Sequence, residues 1–280
     1  MTTIIVIEDL EVSEMKTRII SGVVMGAIVA IVLTLGFLLT DVIITIAIGL
    51  LAVAAIYELL HNASGIEDKV TLIGACVFAF LCVMSGQLGA LWVEGLFIVG
   101  VLYSIFAVIM ILKSANEFDL AKISVIYGFP VMFSLAFFCL NGVIIGGKGI
   151  YYLLLLLNFS SVCDMGAYFV GVTCGKHKLC PNISPKKTVE GAIGGIASSI
   201  VFSLIISVCF GNFSVALLLM TVPFCILGML GDLFASAIKR SVDLKDYGTL
   251  IPGHGGIMDR LDSIIMIAPL MFISIGIGII

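Results

Sequence analysis

The stretch from Ser236 to Asp262 concentrates the residues in this chain that could do chemistry. It holds Lys239, Arg240, Lys245 and Arg260, the acids Asp243, Asp246, Asp259 and Asp262, and His254 inside Pro252-Gly253-His254-Gly255-Gly256. Glycines in such a run let backbone N–H groups approach an anion closely, as in phosphate-binding nests. The four basic side chains can neutralise phosphate charge. Asp259 and Asp262 stand three apart, so they meet on one face if the segment is helical. Carboxylates at that spacing suit Mg²⁺, which takes one or two of them together with substrate phosphates. A histidine alone is more often a hydrogen-bonding or packing residue than a catalyst, and His254 enters the candidate set through its neighbours.

Two further acids interrupt apolar runs. Asp232 lies in Gly228-Met-Leu-Gly231-Asp232-Leu, and Asp164 in Asn158-Phe-Ser-Ser161-Val-Cys-Asp164-Met-Gly-Ala-Tyr168. A carboxylate at the centre of a bilayer costs about 2.5–3.5 kcal/mol on insertion scales, so it turns toward protein, a cation or water. If the helix carrying Asp232 continues past Lys239, then Asp232, Ser236 and Lys239 share one face. A plain alternative for Asp232 is a pairing with a nearby lysine, and for Asp164 helix-to-helix hydrogen bonding. A second basic loop contains Gly171, Gly175, Lys176, Lys178, Ser184, Lys186, Lys187 and Thr188. It is not a Walker A loop: three residues separate its glycines instead of four, and His177 follows Lys176 where Ser or Thr is needed. It still offers four lysines and two hydroxyls to a phosphate.

The elements that must position these groups are membrane helices. Of 280 residues, 61% are hydrophobic and 11% charged, against about 25% charged in a soluble domain. Such a chain cannot cover a globular surface with polar groups. The composition therefore predicts an all-α, polytopic integral membrane protein with about nine transmembrane helices, near 19–40, 42–60, 70–88, 93–112, 123–144, 150–172, 191–210, 214–238 and 263–280. With the N-terminus inside, thirteen Lys and Arg fall in inside loops, Lys16, Arg18 and Lys122 among them, and only Lys148 outside. The acidic segment Met1 to Lys16 lacks the basic start of a cleaved signal peptide and reads as a short cytoplasmic segment. The eight cysteines form no CxxC pair, which argues against a metal or disulfide framework. Residues 1–145 are expected to be mainly scaffold with possible dimer contacts. Residues 146–280 are expected to form the catalytic region, with cytoplasmic loops 173–190 and 239–262.

The spaced pattern from Ser236 through Lys239-Arg240, Lys245-Asp246 and Pro252-Gly-His-Gly-Gly256 to Asp259-Arg260-x-Asp262 resembles the phosphatidate cytidylyltransferase (CDP-diacylglycerol synthase) family. Gly231-Asp232-Leu and the segment from Asp164 to Gly191 resemble it as well, so the likeness covers roughly residues 160–262. Two positions depart from the pattern: Ala235 stands where the family often has Glu, and Met165 where it often has Thr. The resemblance implies a cell-membrane enzyme that joins CTP to phosphatidate, releasing pyrophosphate, with Mg²⁺ as cofactor and a homodimeric state. It implies no nucleic-acid partner. On this reading Asp232 and Asp259, flanking the basic loop, ligate the metal, and Asp262 is a second choice. Lys239, Arg240, Lys245 and Arg260 bind phosphates near Asp246 and His254. Gly253, Gly255 and Gly256 shape the nucleotide-phosphate loop, while Ser184, Lys186, Lys187 and Ser236 contact nucleotide or lipid phosphate. A related enzyme acting on another lipid phosphate, such as an archaeal ether lipid, would carry the same residues. An anion transporter would place its polar residues in paired half-repeats at the midplane, which this sequence lacks. The Asp-Gly-x-x-Ala-Arg pattern of CDP-alcohol phosphotransferases is missing.

Overall fold

The computed structural model describes residues 2–113, 123–145 and 147–280, with side chains from Ile19 onward. Lys122 and the side chains of Lys16 and Arg18 therefore lie outside the described residues. The helices are α1 (Thr2–Leu38), α2 (Asp41–Tyr57), α3 (Lys69–Met84), α4 (Trp92–Lys113), α5 (Phe129–Ile144), α6 (Gly149–Leu157), α7 (Cys163–Cys174), α8 (Val189–Cys209), α9 (Val215–Ser241) and α10 (Met258–Gly276). Two short antiparallel strands, β1 (Lys178–Cys180) and β2 (Ser184–Thr188), make a hairpin between α7 and α8. Among the described residues the fold is thus all-α apart from this hairpin, which the sequence reading treated as loop.

Local signals set the helix starts. The tight connection between α1 and α2 is Thr40, whose hydroxyl accepts from Val42 N at 3.3 Å. Asp68 caps α3 by accepting from Thr71 N at 2.9 Å, and Thr188 caps α8 by accepting from Gly191 N at 3.1 Å. Such caps satisfy N–H groups that a helix start leaves without partners. Three π-helical turns, Glu58–Ala63, Ser124–Gly128 and Asn158–Val162, interrupt otherwise continuous spans. Each adds a residue to its turn and so re-aims the side chains that follow, a device common at functional sites.

Among the described residues, eight helical segments are long and apolar enough to cross a membrane: 19–38, 41–63, 69–87, 89–113, 124–144, 149–174, 189–209 and 215–241. The expected ninth differs. α10 begins at Met258, inside the stretch read as loop, and its first turns carry Asp259, Arg260 and Asp262. From Ser263 its apolar part runs about 20 Å at 1.5 Å per residue, short of a ~30 Å hydrocarbon core.

One buried core joins both halves of the chain. Leu59 and Leu60 after α2, Phe133 and Phe137 of α5, Phe159 before α7, Phe224 of α9 and Ile267 of α10 are all buried in it. α1 and α4 lie at its edge: Tyr103 and Ala107 of α4 reach the core, while Ile20, Val23, Phe97 and Leu102 are exposed in the manner of lipid-facing residues. α7 and α8 touch backbone to backbone. A Cβ on Gly191 would fall 2.6 Å from Ala167 O, and one on Gly195 2.6 Å from Cys163 O. Small residues at such crossings let membrane helices pack without a water-driven hydrophobic force. This contact fixes the hairpin beside the part of α9 that carries Asp232.

Candidate active site

Three pieces converge here: the hairpin, a group of intramembrane carboxylates, and the glycine loop between α9 and α10. Glu190, in the first turn of α8, holds the approach to the hairpin. Its carboxylate accepts from the backbone N–H groups of Lys176 and His177 at 3.0 and 3.1 Å, and its Oε1 lies 2.6 Å from His177 Nδ1. With that edge fixed, Lys178 of β1 and Lys186 and Lys187 of β2 face a cavity of about 560 Å³. Asp164, Tyr168 and Val172 of α7 and Met229 and Asp232 of α9 also line it. The volume lies within the usual range for small-molecule sites, about 300–1,000 Å³. Ser184 opens β2, paired in register with Cys180, and does not line the cavity.

Lys187 forms an ion pair with Asp232. α9 does continue past Lys239, and Ser236 Oγ donates to Asp232 Oδ1 at 3.3 Å. Close approach of α9 and α10 brings in a third acid: a Cβ on Gly231 would lie 2.5 Å from Asp262 O. Asp262, outside the eight spans, has its pKa pushed up to about 6, first by burial and then by the charge of Asp232; Lys239 opposes the shift and Asp164 adds to it. Asp164, Asp232 and Asp262 thus gather near one another, with Lys187 and Lys239 at the edges of the group. The like charges beside Asp262 raise the cost of ionising it, and a cation would relieve that cost.

The glycine loop is organised differently. Gly253 and Gly255 have φ of 75° and 84°, a left-handed backbone that other residues adopt only at a cost. Ile251 N donates to Gly255 O at 2.9 Å and closes the loop. His254 N donates to Ile251 O at 2.9 Å, and the N–H groups on either side of the turn, at Tyr247 and at Gly256 to Met258, are taken up by the protein's own carboxylates. Asp259 Oδ2 accepts from Tyr247 N at 2.8 Å and Gly256 N at 3.0 Å, while Oδ1 binds Lys239 Nζ at 2.7 Å. Glu58, from the π turn after α2, accepts from Ile257 N and Met258 N, both at 3.0 Å. At Gly256, Ile257 and Met258 the N–H groups thus form a nest for two internal carboxylates. An N–H left bare in such a place would cost about 1–3 kcal/mol, which accounts for acids meeting these donors.

The remaining candidates spread around this frame. His254 points away from the carboxylates toward α1, its Nδ1 2.9 Å from Ser21 Oγ. Arg260 Nε donates to His254 O at 2.8 Å. Arg240 Nη1 donates to Leu244 O at 3.2 Å, and Lys245 is exposed. Asp246 lies beside Gly255, where an added Cβ would come 3.5 Å from its Cβ and Cγ. Ala235 is fully buried, its carbonyl accepting from Tyr247 Oη at 3.0 Å. The main omission of the sequence reading is Glu58, 3% exposed and inside an apolar span. The argument that singled out Asp232, an ionisable residue in a membrane segment, applies to it equally. Asn62, four residues on, donates to Tyr247 O at 2.8 Å and holds the same loop.

Among the described residues, no three His, Cys, Asp or Glu side chains stand close enough to hold a metal by themselves. Both carboxylates expected to ligate Mg²⁺ are paired with lysine ammonium groups, Asp232 with Lys187 and Asp259 with Lys239. They differ in access. The Asp232 side chain is 29% exposed and lines the cavity, whereas that of Asp259 is 3% exposed and carries three bonds.

Residues 16–277 match the sequence pattern of the Cytidylyltransferase family. The chain is 34% identical over 253 residues to a phosphatidate cytidylyltransferase of Staphylococcus saprophyticus, covering 88% of this chain and 95% of that one. It is 35% identical over 262 residues to the phosphatidate cytidylyltransferase of Staphylococcus epidermidis, with the same coverage. To that of Bacillus subtilis it is 48% identical over 111 residues, 39% of this chain and 41% of the other.

Proposed function

The chain belongs to the cytidylyltransferase family, and from that premise we propose that it transfers CMP from CTP to phosphatidate, giving CDP-diacylglycerol and pyrophosphate. One observation carries the assignment to a site: Lys178, Lys186 and Lys187 share a cavity with Asp164 and Asp232 at the end of a bundle of membrane-spanning helices. Cations there can hold a polyphosphate, and acids beside them can hold the divalent cation that accompanies it.

In the reaction a phosphate oxygen of the lipid attacks the α-phosphorus of CTP. The bond from that phosphorus to the bridging oxygen breaks, and pyrophosphate leaves with the electron pair. Both reactants are anions, so the barrier is largely repulsion between them, and fixed positive charge lowers it. Lys186 and Lys187 bind the triphosphate at the hairpin. Lys239, held by Asp259 above the Tyr247 ring, supplies charge on the α9 side. Tyr168 and Val172, both exposed, give the cavity an apolar flank, so lipid tails can stay in hydrocarbon while the headgroup reaches the acids. The donor set fits Mg²⁺: Asp232 supplies hard oxygens, with Asp262, Asp164 or Asp259 as further ligands and substrate phosphates completing the shell. When bound, the ion neutralises phosphate charge and orients the reacting oxygens.

The excess of Lys and Arg in one set of loops supports a cytoplasmic active site. The exposed apolar faces of α1 and α4 are the surfaces offered to lipid and to a second subunit of a homodimer. The test is direct. Purified protein in phosphatidate vesicles should move label from α-labelled CTP into lipid, release pyrophosphate, and require a divalent cation. Absence of labelled lipid under all cation conditions, from protein shown to be folded, refutes the assignment.

A further inference from the structure

We infer that Glu58 is a positioning residue for the transfer reaction: it locks the glycine loop and the start of α10 to the N-terminal half of the protein. The inference rests on the cytidylyltransferase reading for the word reaction, and on geometry for the rest. Glu58 opens the π turn that ends the second span. The added residue of that turn brings both Glu58 and Asn62 under the loop between α9 and α10. Its two carboxylate oxygens accept from two consecutive N–H groups, Ile257 to Oε1 and Met258 to Oε2. These are donors at the start of a helix, where an anion is favoured. Asp259 satisfies the preceding donor, Gly256 N. Two acids from opposite halves of the chain thus hold three successive N–H groups.

The surroundings are built around the Glu58 carboxylate. A Cβ on Gly256 would sit 2.4 Å from Glu58 Oε2, and one on Gly248 2.7 Å from Oε1. The glycines at these two positions therefore make room for Glu58, not for a bound phosphate. What Glu58 holds is the helix start that presents Arg260 on one side and Asp262, facing Asp232, on the other. Lysines of the hairpin bind CTP without help from this contact. Loss of Glu58 should therefore slow the chemical step and leave nucleotide binding nearly intact.

The experiment uses full-length protein in phosphatidate micelles with two readouts, turnover and hydrogen exchange of the 253–260 backbone. Glu58→Gln keeps the volume but can accept only through one oxygen, and its amide N–H₂ faces a donor. Turnover per folded molecule should fall about 10- to 100-fold, the effect of a small misplacement of reacting groups. KM for CTP should stay within about twofold. Exchange should quicken in 253–260 and not in α8. Glu58→Asp, which retains the carboxylate, should recover part of the turnover. Gly256→Ala, which pushes Glu58 off its two donors, should reproduce the Glu58→Gln pattern. Unchanged exchange in Glu58→Gln overturns the inference, and so does faster exchange with turnover within about twofold of the parent. If the parent itself transfers no CMP, the functional reading falls, and the exchange result alone decides whether Glu58 holds the loop.

Discussion

The hairpin and the glycine loop have similar ingredients and opposite states. Each combines glycines, lysines and an acid, and each reads as a place for phosphate. In the hairpin the lysine side chains are exposed or line the cavity, and Glu190 spends its carboxylate on the backbone of the approach. In the glycine loop the N–H groups at 256, 257 and 258 are occupied by Asp259 and Glu58. Composition marks where anions can bind. Whether the anion is a ligand or part of the protein depends on which carboxylates the fold delivers. On the function proposed above, the hairpin is the binding surface, and the glycine loop is the clamp that sets the acids against it.

The largest effect that would sharpen this contrast is at Asp232. Asp232→Asn should remove most turnover, about 10²-fold or more for loss of a charge acting on the transferring phosphoryl group. Folding should be little affected, because the side chain is partly solvated. Asp259→Asn should instead melt at a lower temperature, since it loosens Lys239 and two backbone donors. Turnover per folded molecule and thermal unfolding of both variants, measured across a Mg²⁺ series, separate the two roles. Normal turnover in folded Asp232→Asn would break the comparison.

Gly255→Val should come next. The backbone there has φ of 84°, and a Cβ would lie 3.2 Å from Asp259 Oδ2, so strain and crowding both act on the clamp. The expected result is a protein that inserts in the membrane with turnover reduced by at least about tenfold. Assay of membrane-extracted, size-homogeneous protein checks it. Lys186→Ala, at the exposed rim of the hairpin, should do less. It should raise KM for CTP by about 3- to 10-fold with kcat nearly unchanged, as expected for lost uniform binding. A fall in kcat with constant KM would place Lys186 in the clamp rather than at the binding surface.

The smallest effect is on stability and depends on pH. The folded protein holds Asp262 at about 6, above its ordinary 3.8. A raised folded pKa means the favourable contribution is complete below the unfolded value and is lost as pH rises through the folded one. Asp262→Asn should therefore raise the melting temperature at pH 8 and leave it unchanged near pH 4, with the difference developing between about 4 and 6. Melting curves without divalent cation, at several pH values, test this directly. An equal shift at both ends would mean that Asp262 is not strained by ionisation.

Much of the fold was legible because hydrophobic length is a one-dimensional property. The eight spans among the described residues coincide closely with the first eight expected segments. The ninth was misplaced at its start, since Met258 to Asp262 reads as polar loop while their N–H groups make the first turn of a helix. The hairpin was missed because its five-residue second strand, Ser184–Thr188, is lysine-rich and shows no apolar alternation. In the site, Asp232, Ser236 and Lys239 were placed on one face by helical spacing alone, and α9 carries them so. His254 and Glu58 were not legible in that way. The first turns to Ser21 on α1, and the second reaches from residue 58 to residues 257 and 258. No local pattern encodes contacts separated by about two hundred positions.

The sequence by itself determined a membrane-embedded helical chain, its family, and a region where lysines and acids gather. Those follow from side-chain chemistry and short-range spacing, which survive without a fold. Only the tertiary structure decided which groups are spent and which remain available. Lys187 meets Asp232 and Lys239 meets Asp259 where helices pack closely at Gly191, Gly195 and Gly231, and Glu58 meets the start of α10 where Gly248 and Gly256 leave room for it. In a medium that cannot solvate a stray charge or a bare N–H, packing has to find each one a partner, and the pairing that results assigns the roles.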